Sequence, residues 1–361
     1  MVEPSNITIG IVSTLPGGWR RKALGWFLEF RTIPVLLWSY TSVALGTALA
    51  ALDGARIDPL WFLVAMAVAG LVQGWETHAI NEIFDWRSGT DRDGSPRALS
   101  GGSKVRNLGL LGERDLWVIF AVATAAIAGL AAAVGSFRPW WLVLLVILGY
   151  VLGLVYTLPP ISTAYRPVAG EFLGGFPGVL LAGLGAYGIQ TLRFSWTAVA
   201  VLCAHAFVCT AMLVMHHYLD ARADALAVPL KRTTVLALGP HRAIWYATAL
   251  ALSGAIVYLA AAILLHPVFL VAGILTLAAA VFHARTDPED LRAVTRNELR
   301  VIQLGIAAGL CVAVVLAPVL WPLVPIAAVG YLVHLAAVAP PSDLARAWRA
   351  APAAQGRGRP K

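Results

Sequence analysis

The chain has 361 residues, 59% of them hydrophobic and 13% charged, with a mean hydropathy of +0.76. So apolar a composition excludes an ordinary soluble domain and marks an integral membrane protein. The formal net charge of +8 does not indicate nucleic acid, because the basic residues fall between apolar runs and in the tails, where topology and anionic lipid account for them.

A helix needs about 20 apolar residues to cross a bilayer. In chain order the apolar runs predict spans at 30–52, 59–80, 115–135, 139–157, 168–190, 195–218, 242–264, 266–284, 300–318 and 320–338. The expected fold is therefore all-α, a polytopic membrane protein of nine to ten transmembrane helices. Pro318, Pro322 and Pro325 interrupt the final stretch, which reads as two spans or as one span with a re-entrant or interfacial piece. The chain divides into an N-terminal cytoplasmic segment at 1–25, a transmembrane domain at 26–338 and a basic tail at 339–361 expected to be disordered. The N-terminal segment lacks a cleavable hydrophobic stretch, so no signal peptide is expected. Cys203, Cys209 and Cys311 lie inside apolar runs without CxxC pairing and read as small core residues.

Lys and Arg set the orientation. Arg20, Arg21 and Lys22 precede the first span, Arg87 to Arg114 follow the second, and Arg166, Arg222, Arg242, Arg285 and Arg300 mark alternate later loops. The opposite loops carry only Arg56, Arg138 and Arg193. By the positive-inside rule the first set is cytoplasmic, in a multi-pass protein of the cell membrane.

Two acidic stretches lie on that side, each directly after a long apolar run. In the first, Asn81 and Asp85 are four apart and project from one helix face, and Asp91 comes just past Gly89, where the chain can turn back. In the second, Asp220 and Asp224 repeat the four-residue spacing, and Lys231 and Arg232 follow closely. Acids at helix ends are often merely solvated. Two such clusters on one membrane face, both flanked by cations, instead fit carboxylates that hold Mg2+ and basic groups that hold diphosphate oxygens.

Asn81-x3-Asp85-x5-Asp91 and Asp220-x3-Asp224 resemble the two aspartate-rich motifs of the UbiA-type intramembrane prenyltransferases. The six-residue step from Asp85 to Asp91 is similar to the branch containing 1,4-dihydroxy-2-naphthoate polyprenyltransferases. Ser100-Gly101-Gly102-Ser103-Lys104, the segment from Arg166 through Glu171 to Thr191, and Lys231-Arg232-Thr233-Thr234 also resemble that branch, over about residues 31–239.

The resemblance implies a helical barrel around a central cavity, Mg2+-dependent ionisation of an isoprenyl diphosphate, and capture of the allylic cation by a small, commonly aromatic acceptor, as in menaquinone biosynthesis. It implies that Asn81, Asp85 and Asp91 hold one Mg2+ and that Asp220 and Asp224 hold the second. Arg87, Lys104, Lys231 and Arg232 become candidate diphosphate contacts, with Asp85, Asp220 and Lys231 carrying the catalytic role. Glu82 and Asp93 are supporting or solvated acids, and Glu171 orients substrate or pairs with Arg166. His78 either faces the cavity or packs, and His217 is a candidate base. Trp38, Tyr40, Tyr150 and Tyr156 are candidates to face the cation, or simply packing and interfacial residues.

Departures from the family pattern bear on the acceptor: Asn81-Glu82 replaces Asn-Asp, His216-His217 stands where an asparagine pair is common, and Leu230 replaces a glycine. Two other readings stay open. One is a membrane terpene cyclase in which the chain attacks its own cation. The other is an ion-coupled transporter, which would place its acids near the midplane of broken helices and not at helix ends. No protein partner is indicated.

Overall fold

A computed structural model describes residues 18–92 and 100–338. Asp93, Arg97, the first 17 residues and the tail from 339 onward lie outside the described residues. Among the described residues all regular structure is helical. The helices are α1 (Trp19–Leu52), α2 (Pro59–Ser88), α3 (Glu113–Phe137), α4 (Trp141–Thr157), α5 (Glu171–Thr191), α6 (Trp196–Leu226), α7 (Pro240–Leu264), α8 (Phe269–Ala284), α9 (Leu291–Leu316) and α10 (Pro318–Val338). Eight are long and apolar enough to cross a membrane, whereas α4 and α8 are shorter apolar helices. The nine to ten predicted crossings thus correspond to eight helices of spanning length and two shorter ones. At the proline-rich stretch, α9 stops at Leu316, a 3-10 turn covers Pro318–Leu320, and helix resumes over Leu323–Val338.

Helix starts follow local chemistry. Asp58 caps α2 by accepting from the Leu60 amide at 2.9 Å, with Pro59 in the first helical position, where a missing N–H costs nothing. Ser195 caps α6 through the Ala198 amide and Asp290 caps α9 through that of Arg292. The helices also outrun the hydropathy signal. α2 continues to Ser88 and α6 to Leu226, so Asn81, Asp85, Asp220 and Asp224 all stand on helical turns above the apolar segments.

α1 is the central post, against which α5, α6 and α9 pack. Ile33 and Leu37 of α1 share one buried cluster with Met212 and Met215 of α6 and Ile302 of α9. α7 and α8 pair with each other and back onto α6 and α9. α1 and α5 approach so closely that a Cβ on Gly46 would overlap the Gly183 carbonyl. In an apolar solvent this close van der Waals fit, and not hydrophobic exclusion, holds helices together. Outer faces carry exposed Leu63, Ile147, Ile256 and Leu332, as a lipid-facing surface requires.

Three helices contain wider π turns, at Leu36–Tyr40 in α1, Leu71–Thr77 in α2 and Glu171–Gly175 in α5. Each contributes residues to the wall of one central cavity. Such turns re-aim side chains without ending a helix and recur at functional sites.

The α1–α5 contact yields a direct test. Gly46→Leu places atoms where backbone cannot retreat, at a cost of about 1–3 kcal/mol or more. The apparent melting temperature of the detergent-solubilised protein should fall by several degrees, while Gly129→Ala, in open space on α3, leaves it unchanged or raised.

Candidate active site

At the end of α2 the four-residue spacing puts Asn81 and Asp85 on successive turns, and Gly89, with φ of 94°, ends the helix in the left-handed region. The chain doubles back, the Asp91 amide donates to the Asp85 carbonyl at 3.3 Å, and the Asp91 side chain is buried. Asp85 is 2% exposed. Its carboxylate accepts from the Tyr165 hydroxyl at 2.7 Å, from Lys231 Nζ at 2.7 Å and from Asn81 Nδ2 at 3.1 Å.

The loop after the first motif closes over this group. Gly101 N donates to Asp220 Oδ1 at 3.1 Å and Ser103 N to Glu82 Oε2 at 2.8 Å. Gly102, at φ of 66°, lies so near Glu82 and Asp91 that a Cβ there would stand 2.6 Å from Asp91 Oδ2. On the other side the Val228 amide donates to the Ser88 carbonyl at 2.9 Å, and the Lys231 amide to that of Asp224. Lys231 therefore enters from the segment after α6 and lies between Asp85 and Asp224, 3.7 Å from Asp224 Oδ1. The two acidic stretches, more than a hundred positions apart, form one cluster.

Electrostatics follow from that crowding. Burial, reinforced by Asp85 and Glu82, pushes the Asp91 carboxyl well above the usual carboxylate range. Burial opposes the charge on Lys231, but Asp85, Asp224 and Asp91 outweigh it and hold the ammonium charged beyond the ordinary lysine value. Burial lowers Lys104 to about 8, with Asp220 pulling the other way. The Tyr165 hydroxyl is raised by burial and then by Asp85, so it stays a donor.

Below the cluster lies a cavity of about 260 Å3. Arg31, Asn81, Asp85, Asp91, Asp220 and Lys231 ring its polar end, while Val64, Val146, Leu142, Ile189 and Val134 line the remainder. One end suits an anionic head and the rest suits an apolar chain.

The sequence model of the UbiA prenyltransferase family matches residues 39–298. The chain belongs to the UbiA prenyltransferase family. It is 28% identical over 241 residues to a 1,4-dihydroxy-2-naphthoate octaprenyltransferase of Bacillus subtilis (strain 168), covering 66% of this chain and 74% of that protein. Among solved structures, a UbiA homolog from Archaeoglobus fulgidus bound to GPP and Mg2+ superposes with TM-score 0.57 at 18% identity, covering 80% of this chain and 99% of that one. A UbiA homolog from Aeropyrum pernix K1 gives TM-score 0.55 at 17% identity over 76% and 97%. The protein is thus an all-helical membrane prenyltransferase of UbiA fold.

Of the residues predicted for the UbiA site, Asn81, Asp85, Asp91, Asp220 and Lys231 stand on the cavity wall, as do His78 and His217. Asp224 does not: it is fully buried behind Lys231, with neither carboxylate oxygen hydrogen-bonded. Lys104 lies off the wall but within electrostatic reach of Asp220. Arg87 is exposed and paired with Glu113 at the start of α3, and Arg232 is exposed and off the wall. Position 87 comes two residues after Asp85, on the opposite helix face, and Arg232 is one residue out of phase with Lys231. Glu82 is buried on Ser103 and not solvated. Arg166 bonds the Pro160 carbonyl, leaving Glu171 to Thr234. Of the four aromatics, Trp38 and Tyr156 line the cavity, while Tyr40 and Tyr150 do not.

The donor set fits a hard divalent cation. Asp91 Oδ2 is a buried acceptor without a hydrogen-bond partner, and Asn81, Asp85 and Asp220 share the cavity wall with it. Among the described residues no three His, Cys, Asp or Glu side chains gather tightly enough to hold a metal alone. That is the expected state for Mg2+, which is held by one or two carboxylates together with substrate phosphates and water.

Several site residues escape sequence reasoning. Arg31 breaks α1 with φ of 50° and reaches the cavity, a place that no motif in the sequence marks. Tyr165 belongs to a loop with no motif. His216 Nδ1 is 2.9 Å from Glu298 Oε1 and Nε2 is 3.4 Å from Asp220, a chain that brings in α9.

Tyr165→Phe removes one donor from Asp85. A hydrogen bond to a charged group is worth about 1.5–3 kcal/mol, so kcat/KM for prenyl transfer should fall about 10- to 100-fold with folding retained. Diphosphate release, followed beside a thermal melt, checks it.

Proposed function

We propose that this protein transfers an isoprenyl group from an isoprenyl diphosphate to a small aromatic acceptor in a Mg2+-dependent reaction. The observation that carries this reading is the junction of both acidic stretches and Lys231 over an apolar cavity. The diphosphate belongs at the polar end with the apolar tail beneath. Asn81, Asp85, Asp91 and Asp220 would hold the metal, with Asp224 buried behind them. Magnesium bound there supplies charge neutralisation on the leaving diphosphate.

The chain's own residues do the rest. Lys231, with Lys104 and Arg31 as further cations near the same end, favours negative charge as it builds on the departing oxygens. The C1–O bond breaks with its electron pair leaving on diphosphate, a C–C bond forms to the ring, and the ring loses a proton. Aliphatic walls exclude water that would quench the cation, and Tyr156 offers a π face to it. His217, on the wall with a buried unpartnered Nδ1, is the candidate to accept the ring proton.

The Bacillus subtilis relative is named for 1,4-dihydroxy-2-naphthoate, which makes that compound the first acceptor to test and menaquinone biosynthesis the pathway this reading favours. The distribution of Lys and Arg supports a cell-membrane location with the motif loops on the cytoplasmic side.

A panel of isoprenyl diphosphates crossed with aromatic acceptors, read by mass spectrometry, should give a prenylated ring. A hydrocarbon formed without acceptor would replace this reading by intramolecular cyclisation. Asp85→Asn and Asp220→Asn should each lower diphosphate release at saturating Mg2+ by about 100-fold or more, since each removes a charged ligand from a site built on charge. Full activity in either would remove that residue from the site.

Lys104 sets a pH limit. With its value lowered to about 8, it is charged below pH 8 and neutral above, so kcat/KM for the isoprenyl diphosphate should decline as pH rises through about 8. Lys104→Arg, charged throughout, should flatten that limb. An unchanged profile would free Lys104 of a diphosphate role.

A further inference from the structure

Gln73, Thr77, Asn81 and Asp85 recur at four-residue intervals along α2, and all four line the cavity. In a regular α-helix each such step drifts by about 40°, which would carry Gln73 about 120° round from Asp85. The π turn at Leu71–Thr77 takes up that excess and keeps the ladder on one face. Three steps at about 1.5 Å per residue place Gln73 up to about 18 Å below Asp85, well inside the apolar part.

At that depth Ser39 Oγ, from the π turn of α1, donates to Gln73 Oε1. Such a bond can simply join two helices in lipid. Joining helices does not account for what is left over. The Gln73 amide nitrogen makes no hydrogen bond among the described residues although the residue lines the cavity, and Nε1 of the neighbouring cavity residue Trp38 is buried with no partner. The Trp38 ring abuts Gly175, where any Cβ would strike it, so the indole is held in place. The Thr77 hydroxyl donates to Glu76 at 2.9 Å and keeps its lone pairs. An isoprenoid tail has no atom that can hydrogen-bond to any of these groups.

The geometry points to an acceptor subsite formed by Ser39, Gln73, Trp38 and Thr77, which takes the ring oxygens of a hydroxylated or quinoid aromatic. This assignment rests on the prenyl-transfer reading above. A flat acceptor held by its oxygens between Gln73 and Thr77 extends up the ladder toward Asn81, so that its free ring edge faces the polar end where the isoprenyl C1 departs. The tail then takes the aliphatic wall formed by α4 and α5.

The test uses the full chain in detergent. Binding of 1,4-dihydroxy-2-naphthoate, or of whichever panel acceptor the wild type prenylates fastest, is measured by calorimetry without isoprenyl diphosphate, and KM is measured for both substrates. Gln73→Leu and Trp38→Phe should each weaken acceptor binding and raise acceptor KM tenfold or more, with the KM for isoprenyl diphosphate within twofold of wild type. Gln73→Asn, which keeps the amide donor on a shorter arm, should lose less than Gln73→Leu. Acceptor binding equal to wild type in both Gln73→Leu and Trp38→Phe overturns the subsite while leaving the transferase reading intact, as does a shift confined to the isoprenyl diphosphate. Hydrocarbon formation by wild type with no prenylated ring overturns both.

Discussion

Burying an ammonium and a carboxylate costs several kcal/mol of lost hydration per ion, which only close contact and additional hydrogen bonds recover. Asp85 and Lys231 meet these terms at 2.7 Å, with Tyr165 and Asn81 completing the carboxylate's partners. Removing one partner would leave the other charge buried alone, so the contact fixes where the segment after α6 must run. The Val228–Ser88 and Lys231–Asp224 backbone bonds follow from that placement, and so does the closure of the Gly101 loop over Asp220. Apolar groups of similar volume hold buried segments together as firmly as an ion pair does, but they offer nothing to a diphosphate. The pair therefore joins fold to function at one point.

What was legible in sequence was legible because a single physical variable controlled it. Apolar run length is set by bilayer thickness, and every one of the ten predicted spans overlaps a helix. Helical period put Asn81 and Asp85 on one face, and glycine's freedom at 89 returned Asp91 to them. Hydropathy alone did not mark the extensions of α2 and α6, since it reports the membrane and not the helix and these turns are polar; the four-residue spacing of Asn81 with Asp85 and of Asp220 with Asp224 was the one sign of them. Nor were the π turns, which depend on one extra residue per turn and leave no compositional trace.

Pairings across the chain were the other blind spot. Arg87 and Lys231 both follow an acidic stretch as basic residues, yet Arg87 turns outward to Glu113 while Lys231 turns inward to Asp85. Only the path of the chain beyond each residue distinguishes them. The same holds for His216 and Glu298, which meet across 82 positions and could be joined only by knowing that α9 packs on α6. Arg31 was hidden for a different reason, because a backbone break in α1 turns an arginine at the start of the first predicted span into a cavity residue.

An allylic cation survives only where no water and no stray lone pair can reach it, and yet the ion that departs from it needs charge close by. The chain resolves this by depth. Charged groups gather in the ring around Asp85 and Asp220 at the polar end of the cavity, and aliphatic Val, Leu and Ile side chains form much of the wall beneath. The polar residues that do go deeper are Gln73 and Thr77 on one face of α2 and Ser39 of α1, and each hydroxyl is already engaged, Ser39 with Gln73 and Thr77 with Glu76. A hydroxyl already donating to a carboxylate or amide is held in one orientation, and a held group is a weaker trap for a passing cation than a mobile water. The cavity can in this way keep hydrogen-bonding capacity on one wall and an inert surface on the other, which is the arrangement that a reaction between a polar ring and a purely apolar cation demands.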